Sequence, residues 1–100
     1  MNKIIWRPKA LRQLRKIKDE RVQEQIFQET QSLKAFPDCV NVKRLTNHRY
    51  GYRLRVGRYR VFFDFQDGEA RIVWIEEVKK RDEHTYWKTN GQLTDCLSNN

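Results

Sequence analysis

The sequence has little of what marks a secreted, membrane-spanning or metal-binding protein. Its 100 residues include only two cysteines, Cys39 and Cys96, which are far apart and lack the spacing of metal ligands. Neither a disulfide framework nor a zinc site is indicated. No apolar run approaches the roughly 20 residues of a membrane span, and the stretch MNKIIWRPKA lacks the apolar core of a secretory signal. We expect one small domain with free thiols, located in the cytoplasm.

Acidic residues are missing from one part of the chain. The formal net charge is +8, and no carboxylate occurs between Asp38 and Asp64. The basic residues in that interval are Lys43, Arg44, Arg49, Arg53, Arg55, Arg58 and Arg60. A local positive excess of this kind is typical of proteins that bind a polyanion or an acidic partner protein.

The first part of the chain has helical periodicity. The apolar run KIIW at residues 3–6 is typical of a strand, and the proline that follows suits the first turn of a helix. We predict helices from about Pro8 to Lys18 and from about Glu20 to Ala35, with Asp19 as the N-cap of the second. The segment DCVNVKRLTNHRYG is predicted to be a connection whose apolar residues cover an edge of the core, namely Val40, Val42 and Leu45.

The period changes to two in RLRVGRYRVFF, which predicts a β-hairpin. Gly57-Arg58 fits a two-residue type II′ turn, because that turn favours glycine at its first position. This register sets Arg55 opposite Arg60 and Arg53 opposite Phe62. The opposite face then holds the core-side residues Tyr52, Leu54, Val56, Tyr59, Val61 and Phe63. We call the side of the sheet that carries Arg53, Arg55 and Arg60 the arginine face.

A second turn, predicted at Asp67-Gly68, adds a further strand. It sets Phe63 opposite Ile72 and Val61 opposite Trp74, so Trp74, like Trp6, is expected to pack in the core. By alternation, four residues of this strand are expected to join the arginine face, namely Val73, Ile75, Glu77 and Arg81.

Two interpretations of the arginine face are open. Like charges directly opposed across a sheet are destabilising, so folding alone does not favour Arg55 opposite Arg60. An anion would offset that cost, since guanidinium forks bind phosphate oxygens bidentately and rings such as Tyr86 and Trp87 stack on bases. The alternative is a solvated polar face that only keeps the sheet soluble. The clustering on one face and the missing carboxylates favour the anion site.

Two segments, VKRLTNHRYGYRLRVGRYRVFFDF and IVWIEEVKKRDEHTYW, resemble the RelE/ParE superfamily of bacterial toxins. The resemblance covers about residues 1–87, and Leu45 and Gly57 stand where relatives have them. It implies an α+β fold with an N-terminal strand and a helical hairpin packed on a twisted antiparallel β-sheet. Residues 88–100 are then expected to be a polar C-terminal tail.

The resemblance also implies a function. RelE-like members are ribosome-dependent endoribonucleases that cut messenger RNA in the ribosomal A site, whereas ParE-like members inhibit DNA gyrase. Both are held inactive by an antitoxin. We therefore expect a type II toxin that cleaves RNA by 2′-OH attack without metal or cofactor, with the antitoxin and the message-bearing ribosome as partners. The alternatives are a gyrase inhibitor and a plain nucleic-acid-binding module.

Residue roles follow from the same resemblance. It implies that Arg53 and Arg60 clamp the phosphate, that Arg81 stabilises the leaving group, and that Arg55 and Tyr86 complete the catalytic set. Further RNA contacts are expected from five other basic residues, Lys43, Arg44, Arg49, Arg58 and Lys80.

The general base is open at this point, because some relatives carry lysine where this chain has Arg53 and Arg55, and arginine is a poor proton acceptor. Glu77 is either that base or the partner of Arg60 in a structural ion pair. His84 is either an acid–base group or an exposed residue without a role. His48, in the loop TNHRY, is interpreted as a surface residue or a phosphate contact.

Overall fold

One five-stranded sheet organises the chain, and both helices pack on the same face of it. A computed structural model describes residues 1–81. The elements are β1 (Lys3–Trp6), α1 (Pro8–Arg15), α2 (Glu20–Gln31), a 3-10 helix (Ser32–Ala35), β2 (Val42–Arg44), β3 (Tyr52–Val56), β4 (Tyr59–Asp67) and β5 (Arg71–Lys80). The strand order is β1-β5-β4-β3-β2, with β1 parallel to β5 and the other pairs antiparallel. The predicted α+β class is confirmed. Within residues 1–81, no helix is long and apolar enough to cross a membrane.

The helix boundaries follow from their caps. Pro8 occupies the start of α1, where a missing N–H costs nothing. The carboxylate of Asp19 accepts a hydrogen bond from the backbone N–H of Arg21 at 3.0 Å, which confirms the predicted N-cap of α2. The first helix ends at Arg15, three residues earlier than predicted, and the regular part of the second ends at Gln31 before the 3-10 helix.

The core lies between the helices and one face of the sheet. The helices contribute Ala10, Leu14 and Ile26, and the 3-10 helix contributes Leu33. The sheet side is formed by Leu54, Val56, Val61, Phe63, Val73, Ile75 and Val78. Burying each of the Val, Leu, Ile and Phe side chains in this set contributes about 1.5–3 kcal/mol before entropy is counted, so these residues determine which face of the sheet is the core.

The β3–β4 hairpin has the predicted register. Arg55 pairs with Arg60, and Arg53 pairs with Phe62. Gly57 has φ 56°, and it is the first residue of the turn. A type II′ turn requires a positive φ at that position, which glycine adopts without strain.

The predicted pairing of β4 with β5 is wrong. Phe63 pairs with Ile75, not with Ile72, because the loop between the strands begins one residue later than predicted and contains three residues, 68–70, instead of two. Consequently Val73 and Ile75 are fully buried on the core face, not on the arginine face. A β-bulge then leaves Glu76 unpaired and reverses the alternation, so Glu77, opposite Phe62, does lie on the arginine face.

Two further expectations are wrong. Trp74 pairs with Asp64 on the arginine-face side, where its indole N–H donates to Gln66 and the Arg7 guanidinium lies 4.2 Å from the ring. Val40 is 76% exposed and covers no core edge, although Val42 does pack on the core. Val42 belongs to β2, a strand that was predicted as an irregular connection. Trp6 packs against the core as expected.

Replacement of Asp19 by alanine is expected to destabilise the fold by about 1 kcal/mol, because the N-terminal N–H of α2 loses its acceptor. For a domain of this size the melting temperature should fall by roughly 4–8 °C, measured by thermal denaturation followed by circular dichroism. The control is Glu24→Ala, which removes the same charge from the middle of α2. An equal melting temperature for Asp19→Ala and wild type would contradict the capping role.

Candidate functional site

Strand alternation places the arginines together. Arg53 and Arg55 are two residues apart on β3, and Arg60 on β4 pairs directly with Arg55. Arg81 follows β5, where its backbone N–H donates to the carbonyl of Arg58 at 2.6 Å. Three strands and the hairpin turn thus bring the guanidiniums to one end of the arginine face.

These side chains line an open cleft of about 190 Å³, which we call the arginine cleft. Its walls are Arg53, Arg55, Gly57, Arg58, Tyr59, Arg60 and Arg81. Five of the seven lining residues are arginines, so the cleft is strongly electropositive. The four arginines predicted to be catalytic, Arg53, Arg55, Arg60 and Arg81, all line this cleft. Their catalytic roles stay predictions.

Two guanidiniums of the cleft have polar atoms that are buried without a partner. The Nε atoms of Arg53 and Arg81 are shielded from solvent, and neither has a hydrogen-bond acceptor among the described residues. Nor does any of the five cleft arginines form a salt bridge within residues 1–81. A buried donor without an acceptor costs about 1–3 kcal/mol, which adds to the repulsion among the cations of the cleft.

The pKa of Arg53 is lowered by this unfavourable environment. Burial lowers the pKa of its guanidinium, and the positive charges of Arg60, Arg55 and Arg81 lower it further. Each effect disfavours the charged form. A bound anion would act in the opposite direction, because it favours the charged form and supplies acceptors for planar N–H forks.

Glu77 has partners other than the predicted one. Its Oε1 accepts from the hydroxyl of Tyr50 at 3.1 Å and from Lys9 Nζ at 3.4 Å, and its Oε2 lies 4.0 Å from Lys79 Nζ. The predicted ion pair with Arg60 does not occur in the structure. The side chain is 12% exposed, so its carboxylate is part of a network that links α1, β5 and the loop before β3.

A cluster of three rings, which we call the aromatic ledge, lies beside this network. The His48 ring stacks on the Phe62 ring with centroids 5.1 Å apart, and the centroid of the Tyr50 ring lies 5.8 Å from that of Phe62. Burial and the hydrogen bond to Glu77 raise the pKa of the Tyr50 hydroxyl. The sequence does not indicate that Tyr50, Lys9 and Lys79 are neighbours, because their proximity depends on the β5 bulge and on the path of α1. The aromatic spacing in HRY was the only available signal.

The other predicted RNA contacts are scattered. Lys43 on β2 pairs with Arg53 at the margin of the arginine face, and Arg44 is also exposed on β2. Arg49 is exposed in the loop, 5.9 Å from the Tyr50 ring. Lys80 pairs with Tyr59, a core-side residue, and lines a different cleft with residues of α2. Arg58 also lines this second cleft, whereas Arg53, Arg55, Arg60 and Arg81 do not.

The predicted residues His84, Tyr86 and Trp87 and the tail 88–100 lie outside the described residues. Among residues 1–81, no group of three or more His, Cys, Asp or Glu side chains is placed to hold a metal ion. The arrangement that is described therefore offers cationic donors and aromatic rings.

Sulfate is expected to raise the melting temperature of the wild type more than chloride does at equal ionic strength. Both salts screen repulsion among the arginines, but only the oxyanion binds guanidiniums bidentately. At ten times its dissociation constant, sulfate would add about 1.4 kcal/mol to the free energy of unfolding. Differential scanning fluorimetry in matched salts measures the difference.

Arg60→Ala provides the internal control for this experiment, because sulfate also stabilises proteins through exclusion from their surface. The variant should retain that general part and lose the extra part. Arg15→Ala, at the end of α1, removes the same charge away from the cleft and should behave like wild type. Equal sulfate effects in wild type and Arg60→Ala would contradict an oxyanion site.

The comparisons with known proteins agree with this architecture. A sequence model of the family described as "ParE toxin of type II toxin-antitoxin system, parDE" matches residues 4–84. A search of curated protein sequences found no match. Among solved structures, the chain is similar to a YoeB/ParE toxin from Agrobacterium tumefaciens, with a TM-score of 0.65 and 14% sequence identity over 80% of this chain and 99% of that one. The family match spans most of the chain, and the fold and the predicted resemblance are thereby confirmed. The protein belongs to the ParE toxin family of type II toxin–antitoxin systems, within the RelE/ParE superfamily.

Proposed function

We propose that this toxin is a metal-independent endoribonuclease that cuts messenger RNA bound in the ribosomal A site and so inhibits translation in the cytoplasm. The observation that carries the proposal is the arginine cleft, where five guanidiniums converge and none of them forms a salt bridge within residues 1–81. A phosphodiester has the charge, size and planar oxygen pairs that such donors bind.

The proposed reaction is an intramolecular displacement at phosphorus. The ribose 2′-OH loses its proton and its oxygen attacks the adjacent 3′ phosphate, while the bond from phosphorus to the 5′ oxygen breaks. The products are a 2′,3′-cyclic phosphate and a 5′-OH, the latter formed when the leaving oxygen gains a proton. Negative charge accumulates on the phosphoryl oxygens in the transition state, so prearranged cations are the main contribution that a protein can make.

The cleft residues have distinct parts in this proposal. Arg53 and Arg60 clamp the non-bridging oxygens, because they come from neighbouring strands on the arginine face and Arg53 is partly buried. Arg81 stabilises the leaving oxygen, since it enters the cleft from β5. Glu77 is assigned a structural role, because Tyr50 and Lys9 already occupy its carboxylate. Tyr86 and His84 are retained as the base-stacking and proton-transfer candidates.

Inhibition of DNA gyrase is the second candidate function. The family model that matches this chain is that of the ParE toxin. As stated for the resemblance above, ParE-like members inhibit DNA gyrase. In this alternative the arginine cleft would contact an acidic protein surface or a DNA backbone, and no bond would be broken. A nuclease cleaves message, whereas a gyrase inhibitor blocks supercoiling and leaves message intact. A message-cleavage assay and a gyrase supercoiling assay therefore separate the two functions.

Arg60→Ala is expected to reduce message cleavage by about 10²–10³-fold, the usual loss for one transition-state charge donor. Arg60→Lys should recover only part of the rate, because a lysine keeps the charge but not the bidentate fork. The measurement is primer extension of message on programmed ribosomes with the purified toxin. Arg81→Ala is expected to be strongly impaired in the same assay.

Arg12→Ala on α1 is the matched control, since it removes an arginine that lies outside the cleft, and its cleavage rate should equal that of wild type. Circular dichroism of each variant establishes that it is folded. Full cleavage by folded Arg60→Ala would refute the site assignment. Inhibition of supercoiling without message cleavage by the wild type would replace the nuclease with the gyrase inhibitor.

Membership of the family implies a cognate antitoxin. We propose that an acidic C-terminal segment of this antitoxin lies over Arg53 and Arg60 and continues to exposed basic residues at the end of α1, namely Arg12, Arg15 and Lys16. Clustered cations attract such a segment over long range, and a disordered segment gains its order on binding.

Association of the two proteins is expected to slow markedly as salt rises from about 0.05 to 0.5 M, because electrostatic steering is screened beyond the Debye length. Stopped-flow mixing measures the rate constant. The double variant Arg53→Ala/Arg60→Ala should associate more slowly at low salt, whereas Lys3→Ala on β1 should not. A salt-independent association rate would contradict the proposed electrostatic docking.

A further inference from the structure

We propose that the aromatic ledge, formed by His48, Tyr50 and Phe62, is a nucleobase-stacking subsite for the nucleotide next to the phosphate in the arginine cleft. This inference rests on the proposed RNA substrate. In this proposal His48 stacks on a base, whereas its sequence context indicated only a surface residue or a phosphate contact.

The geometry of the ledge is that of a preorganised platform. The His48 ring stacks on Phe62 with an interplanar angle of 14° and a centroid distance of 5.1 Å. Its Nδ1 accepts the backbone N–H of Tyr50 at 3.0 Å, which fixes the ring orientation. Phe62 is only 7% exposed beneath these rings, whereas His48 is exposed. One face of the imidazole is thus packed, and the residue remains accessible for stacking on its outer side.

The ledge is adjacent to the arginine cleft through the sheet itself. Phe62 pairs directly with Arg53 across β3 and β4. Opposed side chains in such a pair have Cβ atoms about 4.5–5.5 Å apart. A single nucleotide can therefore place its phosphate on Arg53 while its base extends over the ledge. Base stacking beside a cationic backbone groove is the usual arrangement for binding single strands.

The charges around the ledge favour a nucleic acid over an aromatic side chain of a protein. An opening of about 230 Å³ contains the ledge, and its other lining residues are Lys9, Arg49, Glu77 and Lys79. Three of these four are cations, and the one carboxylate is already engaged by Tyr50 and Lys9. The rim is therefore positive, which suits a base whose flanking phosphates are negative.

The test uses the full chain released from its antitoxin and a short single-stranded RNA with 2-aminopurine at one position and 2′-O-methyl riboses, which prevent 2′-OH attack. 2-Aminopurine loses fluorescence when it stacks, so quenching reports the ledge and anisotropy of a terminal dye reports affinity. His48→Ala is expected to weaken binding by about 5- to 150-fold, the range for loss of one base–aromatic stack, and to abolish the quenching. His48→Phe should retain both, because it keeps a stacking ring.

RNA of the same length with an abasic ribose at that position provides the matched ligand control. Wild type and His48→Ala should bind this RNA equally, since the base that stacks on the ledge is missing from it. Unchanged affinity and quenching in His48→Ala would overturn the subsite. So would a loss of antitoxin affinity in His48→Ala with RNA binding unchanged, since the ledge would then belong to the protein partner.

The two proposals can fail separately. If wild type cleaves message and His48→Ala shows unaltered quenching, the ledge fails and the nuclease stands. If quenching depends on His48 and the wild type cleaves no message on ribosomes, the ledge stands as an RNA-binding subsite and the nuclease fails.

Discussion

The opposition of Arg55 and Arg60 across the β3–β4 hairpin is the constraint on which the site depends. The type II′ turn at Gly57 fixes the register, and the buried side chains Leu54 and Val61 fix which face is the core. Slippage by one residue would expose the core and bury the arginines. The same hydrophobic burial that stabilises the sheet therefore holds like charges together on its other side.

A second constraint, the bulge at Glu76, determines which residues of β5 join that face. Before the bulge, Ile75 faces the core, and after it Glu77 faces the arginine side. The first helix supports the displaced strand, since the side chain of Gln13 accepts the backbone N–H of Val78 at 2.7 Å. This contact satisfies a buried donor that no neighbouring strand reaches. The position of Arg81, just beyond β5, thus depends on packing by α1 as well as on strand pairing.

Local rules predicted the parts of the structure that short-range chemistry determines. The cap at Asp19, the start of α1 at Pro8 and the hairpin at Gly57 all follow from the residues at those positions. The β4–β5 register was not predictable, because Asp67-Gly68 suggests a two-residue turn and nothing local marks a bulge. Glu77 was placed on the correct face only because the two errors, in loop length and in the bulge, cancelled. The ledge was missed since it needs the loop before β3 to pack over Phe62 on β4.

Family membership and fold leave the chemistry to the side chains, because one fold supports several functions. A protein inhibitor can place its cations anywhere on a complementary rim, where exposed ion pairs contribute little. The arginines here are different, since they are concentrated in one cleft and form no salt bridge within residues 1–81, and three of them, Arg53, Arg60 and Arg81, are partly buried. That arrangement is costly in the free protein, and a bound oxyanion would offset the cost. The aromatic ledge beside it adds a reason for that oxyanion to carry a base, and together they favour RNA as the ligand of this face.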